Sequence, residues 1–121
     1  FVTGGSAGGI MKAWIAGKNN RFRAAAVGKP VINWYSKDLV ADNYYGYHNY
    51  RYPGSPWENP EAYMKYSPIS LVGNVSTPSM VFVGTDDLRT PLSESKQFYH
   101  ALKLRKVDTA LVKSPGSSHN I

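Results

Sequence analysis

Short strand-like runs and longer helix-like runs of apolar residues alternate along this chain. Four short apolar runs predict strands, at residues 1–3, 23–27, 79–84 and 109–112. Apolar residues at helical spacing after the first run predict a helix that stops at Gly17, and a second helix is predicted over 93–103 with Ser93 or Thr90 as its cap. Strands that alternate with helices build a parallel sheet covered by helices, so the predicted fold class is α/β.

One long segment breaks this alternation. Residues 42–60 are rich in Tyr, Gly, Pro and Asn and keep no steady period, which predicts a long loop with at most one helical turn. Loops of this length inside a small domain often carry function.

The strongest local motif is Gly4-Gly5-Ser6-Ala7-Gly8, between the first predicted strand and the first predicted helix. It fits the G-x-S-x-G nucleophile elbow, in which a sharp turn exposes a serine hydroxyl. We expect small residues on both sides of the serine, because a Cβ there would strike the adjacent strand or helix. The N–H of Ala7 and the helix dipole would then face an oxyanion. The alternative is a plain glycine turn, or a phosphate loop that lacks the usual lysine.

A serine nucleophile also needs a base and an orienting carboxylate. In α/β proteins with such a nucleophile elbow, the order along the chain is Ser, acid, His, and each group follows the carboxyl end of a strand. Asp86 and Asp87 follow the third predicted strand, and His119 follows the fourth. The spacing leaves both aspartates open, and each could be a turn residue. His48 and His100 are weaker candidates for the base, because His48 lies in the Tyr-rich loop and His100 lies off the apolar stripe of its predicted helix.

Composition narrows the class of protein. The chain has 121 residues, 42% of them hydrophobic and 18% charged, which suits one small globular domain. The net charge is +6, but the basic residues are scattered, which argues against a nucleic-acid partner. Cysteine is absent, and no apolar run approaches the roughly 20 residues of a membrane span. We therefore expect no cofactor, no metal site and no membrane partner, and the sequence assigns no compartment.

Beyond these motifs, the whole chain resembles a known family. The resemblance rests on the glycine cluster at 4–9, on Pro56-Trp57-Glu58-Asn59-Pro60-Glu61 with Ser67-Pro68, on Asp87-Leu88-Arg89-Thr90-Pro91, and on Pro115-Gly116-Ser117-Ser118-His119. These are similar to the prolyl oligopeptidase family of serine peptidases, in its acylaminoacyl-peptidase-like branch. The resemblance implies that Asp87 rather than Asp86 is the catalytic acid and that His119 is the base. The family usually has Gly after this His, whereas Asn120 follows here.

The resemblance also implies how much of the catalytic domain this chain contains. Its members carry a β-propeller and several strands ahead of the nucleophile, whereas this chain opens on Phe1 within a predicted strand. We therefore expect residues 1–121 to be a single partial α/β-hydrolase domain, truncated at both ends and holding the C-terminal half of a mostly parallel sheet. Such a half-sheet exposes an edge and an apolar face, which predicts self-association or pairing with the remainder of its own chain.

The function implied by the resemblance is hydrolysis of short peptides through a Ser-Asp-His triad and an acyl-enzyme. Trp34, Tyr35 and Trp57 are the candidates for the pocket that receives the substrate side chain. Two alternatives stay open: an esterase or lipase on the same fold, and a non-catalytic fragment that keeps the triad residues without assembling them.

Overall fold

The computed structural model describes residues 1–47 and 52–120 and contains a parallel four-stranded sheet. The strands stand side by side in chain order: β1 (Val2–Gly5), β2 (Ala25–Gly28), β3 (Ser79–Gly84) and β4 (Thr109–Ser114). All three neighbouring pairs are parallel, so the four carboxyl ends lie along one edge of the sheet.

Each connection between strands contains helix. Helix α1 (Ala7–Lys18) joins β1 to β2, and α5 (Leu92–Leu104) joins β3 to β4. In the longer connection between β2 and β3, the described residues form four short elements: α2 (Trp34–Val40), α3 (Tyr44–Tyr47), α4 (Pro60–Lys65) and a 3₁₀-helix (Pro68–Asn74). No helix within the described ranges is both long enough and apolar enough to cross a bilayer.

The hydrophobic core lies on one face of the sheet. Strand residues Val27 and Val81 are fully buried there against Phe98 and Leu102 of α5. Ala13 and Ala16 of α1 belong to the same buried cluster, so α1 and α5 cover the same face. This continuous core fixes the carboxyl ends of the four strands relative to one another.

The opposite face of the sheet is partly uncovered. The register aligns Thr3, Ala26, Met80 and Ala110 in one row across this face. Met80 and Val112 are 41% and 47% exposed, and Phe1 at the chain start is 86% exposed. The exposed apolar face expected from the sequence is therefore present among the described residues.

Several predicted boundaries are wrong. Gly17 does not stop α1, which runs through Lys18; a Cβ at Gly17 would lie 2.5 Å from Leu71 Cβ, so this glycine permits close packing. Neither Ser93 nor Thr90 caps α5, whose N-cap is Pro91. Helix α2 is not among the helices predicted from the sequence; the Asn33 side chain caps it by accepting from the amides of Tyr35 and Ser36.

Candidate active site

Ser6 lies on a strained turn between β1 and α1. Its φ of 55° and ψ of −121° are rare for a residue with a side chain. The turn is held on both sides: the Ser6 amide donates to Gly28 O at the end of β2, and the Ser6 carbonyl accepts from the Ile10 amide. Ala7 is the first residue of α1, so its amide is one of those that lack a partner within the helix.

The glycines around Ser6 are not all needed for the same reason. A Cβ at Gly4 would lie 2.7 Å from Gly8 O, and a Cβ at Gly9 would lie 2.2 Å from Gly28 O, so both positions require glycine. Gly8 has nothing within 4 Å of its Cβ position. The expectation that a Cβ would collide on both sides of the serine is therefore wrong for Gly8. After the serine the collision occurs at Gly9, which packs against Gly28 at the end of β2.

Asp87 is buried in the turn after β3 and is surrounded by donors. Its Oδ1 accepts from the amides of Arg89 at 3.0 Å and Thr90 at 2.8 Å. Its Oδ2 accepts from Thr90 Oγ1 at 3.0 Å and faces His119 Nδ1 at 2.8 Å. Both oxygens are thus fixed by local bonds, as in an Asx turn, and one of them is aimed at the imidazole. The neighbouring Asp86 is exposed and has Thr85 Oγ1 as its partner.

His119 connects the serine to this carboxylate. Its Nε2 lies 3.0 Å from Ser6 Oγ, and its Nδ1 lies 2.8 Å from Asp87 Oδ2. Because the carboxylate is an acceptor, Nδ1 carries the proton and Nε2 is left to accept the proton of the serine hydroxyl. The His119 side chain is 23% exposed and that of Asp87 is 0% exposed, so the arrangement opens to solvent only at the serine and histidine.

The structure also locates the three aromatic residues chosen for the substrate pocket. Trp34 lines a cleft of about 390 Å³ that begins at Ala7, beside Ser6; its other walls are Ile10, Met11, Trp14 and Tyr66. Tyr35 is half-buried and packs edge-on against Tyr63. Trp57 is 64% exposed and lines a different cleft with Tyr44 and Tyr45. Of the three, only Trp34 borders the cleft next to the serine.

The weaker candidates for the base lie elsewhere, and so does another acidic residue, Asp42. Asp42 is paired with Arg89, whose Nε donates to Asp42 Oδ1 at 2.8 Å, and this hydrogen bond lowers the pKa of Asp42. His100 is exposed on α5. His48 lies outside the described residues.

Sequence reasoning missed Thr90 and Glu94, which support the site. Thr90 Oγ1 lies 3.0 Å from Asp87 Oδ2 and 3.2 Å from His119 Nδ1, so it contacts both. Glu94 is fully buried although it is acidic. It lies four residues before Phe98 on the apolar face of α5, and a charged residue at such a position is the signal that could have revealed it.

Glu94 connects α5 to the segment that follows β2. Its Oε1 accepts from the amides of Ile32 and Asn33, and its Oε2 accepts from Ser36 Oγ at 2.6 Å and Gln97 Nε2 at 3.1 Å. Burial raises the pKa of Glu94, and these hydrogen bonds act against the rise. The carboxyl group therefore ties the start of α2, which carries Trp34, to the helix that follows Asp87.

A parallel sheet with a serine on a strained strand-to-helix turn defines the class: this is an α/β-hydrolase fold. Residues 1–121 match the prolyl oligopeptidase family over their whole length, and the chain belongs to that family. It is 38% identical over 120 residues to the Bacillus subtilis protein YuxL, described as an uncharacterized peptidase. That match covers 99% of this chain and 18% of the relative.

Solved structures agree with this assignment. An acylaminoacyl peptidase from Pyrococcus horikoshii superposes with a TM-score of 0.92 at 27% identity, over 98% of this chain and 19% of that protein. An acylaminoacyl peptidase in complex with Z-Gly-Gly-Phe-chloromethyl ketone superposes with a TM-score of 0.91 at 28% identity, with the same shares covered. This chain thus spans less than a fifth of the proteins that it resembles.

Proposed function

We propose that this chain supplies the catalytic triad of a serine peptidase, with Ser6 as nucleophile, His119 as base and Asp87 as orienting acid. One observation carries the proposal: an unbroken hydrogen-bond path runs from Ser6 Oγ through both ring nitrogens of His119 to the buried Asp87 carboxylate. Membership of the prolyl oligopeptidase family, and a relative described as a peptidase, support peptide bonds as the target.

In this mechanism, Ser6 Oγ attacks the carbonyl carbon of the scissile bond while His119 Nε2 accepts the hydroxyl proton. Asp87 stabilises the imidazolium that forms and holds the Nδ1–H tautomer. His119 then gives its proton to the leaving amine, which departs and leaves an acyl group on Ser6 Oγ. A water molecule, deprotonated by His119, hydrolyses that ester and restores the serine.

The developing oxyanion needs hydrogen-bond donors. Ala7 is the first residue of α1 and follows the nucleophile directly, so its amide is the donor that this chain offers. The helix dipole of α1 adds a favourable partial positive charge at the same point. No metal or cofactor is needed for any of these steps.

The cleft beside Ser6 suggests which residue precedes the scissile bond. It is walled by apolar and aromatic side chains, including Trp34 and Met11. The acylaminoacyl peptidase relative is described in complex with a peptide inhibitor that ends in phenylalanine chloromethyl ketone. We therefore extend the proposal to short peptides with an apolar or aromatic residue before the bond that is cut.

A fluorophosphonate probe tests the nucleophile. The protein at the full length that its gene encodes would be incubated with the probe, and the adduct located by mass spectrometry. We expect an adduct on Ser6, and we expect Ser6→Ala to lower the turnover of a peptide substrate roughly 10⁴-fold or more. A Ser6→Ala protein within about tenfold of the unmodified protein would refute the nucleophile assignment.

Parallel assays on isolated residues 1–121 and on an ester panel separate the alternatives. Labelling of the full-length protein but not of the isolated chain would mean that the triad needs further polypeptide to react. Faster turnover of simple esters, with no cleavage of peptides, would favour an esterase on the same fold.

A further inference from the structure

The two ends of the proposed proton path come from opposite edges of the sheet. Ser6 follows β1 and His119 follows β4, and these strands are the first and last of four. Three spacings of about 4.8 Å separate them, roughly 14 Å in all. The loop after β4 must therefore lean back across β3 and β2 before His119 can reach Ser6.

The early part of this loop is anchored to the turn after β3. The Asp86 amide donates to Ser117 O, and the Gly116 amide donates to Thr85 Oγ1. These bonds end two residues before His119. They fix the base of the loop and leave the position of the His119 backbone to other contacts.

Lys29 reaches that backbone from the end of β2. Its ammonium group donates to the carbonyl oxygen of His119. On the way its side chain crosses Gly5, since Lys29 Cε lies 3.5 Å from the position that a Gly5 Cβ would take. The Lys29 amide is itself held by Phe82 O at 2.6 Å. One half-buried side chain thus spans from the serine turn to the histidine loop.

The backbone at Lys29 is strained. Its φ of 36° lies in the left-handed region, where glycine is favoured and residues with a Cβ are rare. Such conformations persist where the surrounding structure enforces them, and they cluster at functional sites. A lysine at this position has a cost that a glycine would avoid, which directs attention to what its side chain does.

We propose that Lys29 is a positioning residue that holds the His119 backbone at the distance from which Nε2 reaches Ser6 Oγ. This inference rests on the proposed function, because it acts through the triad. Loss of the Lys29 ammonium would release the His119 carbonyl. The imidazole would then spend less time within hydrogen-bond distance of the serine, which lowers the rate of the chemical step and leaves substrate binding unchanged.

Three variants of the full-length protein test this role: Lys29→Met, Lys29→Gly and Lys29→Arg. A 1 Å misplacement can cost about a hundredfold in rate, so we expect the methionine and glycine variants to lose about tenfold or more in kcat with KM within about threefold. The arginine variant keeps a hydrogen-bond donor, so its kcat should lie within about threefold of that of the unmodified protein. The glycine variant relieves the strained φ, so its Tm should not fall although its activity does. Lys96→Met, at an exposed position on α5, is the matched control and should change neither kcat nor Tm.

The outcomes separate this proposal from the function on which it rests. An unmodified protein that takes no fluorophosphonate on Ser6 would refute the proposed function itself. Labelling of the unmodified protein, with the methionine and glycine variants labelled at the same rate, would overturn the role of Lys29 alone. Activity and Tm that fall together in Lys29→Gly, or an arginine variant as slow as the methionine variant, would also overturn it. Slow methionine and glycine variants with a fast arginine variant would support the positioning role.

Discussion

Replacing Asp87 by Asn tests the proposed role of its carboxylate in orienting His119. The substitution preserves size and keeps one oxygen in place, so the amides of Arg89 and Thr90 can still donate to it. The new NH₂ group takes the position of Oδ2, where it faces His119 Nδ1 at 2.8 Å and Thr90 Oγ1 at 3.0 Å. Thr90 can rotate its hydroxyl group so that the oxygen accepts a hydrogen bond from this NH₂ group, but a protonated Nδ1 cannot accept one.

The imidazole of the variant must therefore change tautomer. With Nδ1 as acceptor the proton moves to Nε2, which lies 3.0 Å from Ser6 Oγ and can no longer accept the hydroxyl proton. Loss of the correct tautomer in a serine triad lowers kcat about 10⁴-fold. At about 1.4 kcal/mol for each factor of ten, this is about 5.5 kcal/mol of transition-state stabilisation. The cost to folding should be far smaller, about 1–2 kcal/mol for one altered hydrogen-bond pair.

Asp86→Asn is the matched control, because Asp86 is the adjacent acidic residue and is exposed. Rates of fluorophosphonate labelling and of peptide hydrolysis would be measured for both variants, with urea unfolding as the measure of stability. We expect Asp87→Asn to be about four orders of magnitude slower and Asp86→Asn to be unchanged. An Asp87→Asn protein within about tenfold of the unmodified protein, or an equal loss in Asp86→Asn, would refute the assignment.

Two further predictions concern stability. Gly9→Ala should lower the free energy of unfolding by about 1–3 kcal/mol, because the new Cβ would meet Gly28 O. Gly8→Ala should leave the free energy of unfolding unchanged or raise it by up to about 1 kcal/mol, because its Cβ position is open. Urea unfolding measures both variants, and equal shifts of the two midpoints would contradict the packing argument. Burial raises the pKa of Glu94 above its ordinary value of 4.5. The contribution of this group to the free energy of unfolding is therefore fully present below pH 4.5 and is lost as the pH rises through the raised pKa. The unfolding free energy of the unmodified protein relative to Glu94→Gln should therefore be constant in acid and fall as the pH rises, and a relative stability that increases with pH would show that the sign is wrong.

The local elements of the site could be predicted from the sequence because short-range signals specify them. The turn at Ser6 follows from glycines next to an apolar strand, and the Ser79–Gly84 strand has the bounds that its apolar run predicts. The order of Ser6, Asp87 and His119 along the chain also matched strand ends in the sheet. Parallel strands bring their carboxyl ends to one edge, so this order was enough to predict that the three groups would lie close together.

Spacing alone left the choice between adjacent residues open, although the family resemblance already implied Asp87 rather than Asp86. Spacing could not separate Asp86 from Asp87, because both lie in the same turn; the fold buries Asp87 against Thr90 and His119 and leaves Asp86 in solvent. In the same way, Trp34 and Trp57 are equally aromatic in the sequence, but only Trp34 borders the cleft beside Ala7. Such differences arise from the direction in which a side chain points.

The contacts of Lys29 and Glu94 could not be predicted from the sequence for a related physical reason. Lys29 and His119 are 90 residues apart, and Glu94 is 62 residues from Ile32. Contacts at such separations form only when the sheet places β2 beside β3, with β4 on the other side of β3, and no local periodicity encodes them. The sequence by itself determined the α/β alternation, the serine turn and the order along the chain of the three proposed triad residues. The tertiary structure decided which carboxylate is buried, which aromatic residue borders the cleft, and which side chains connect the elements that carry Ser6, Asp87 and His119.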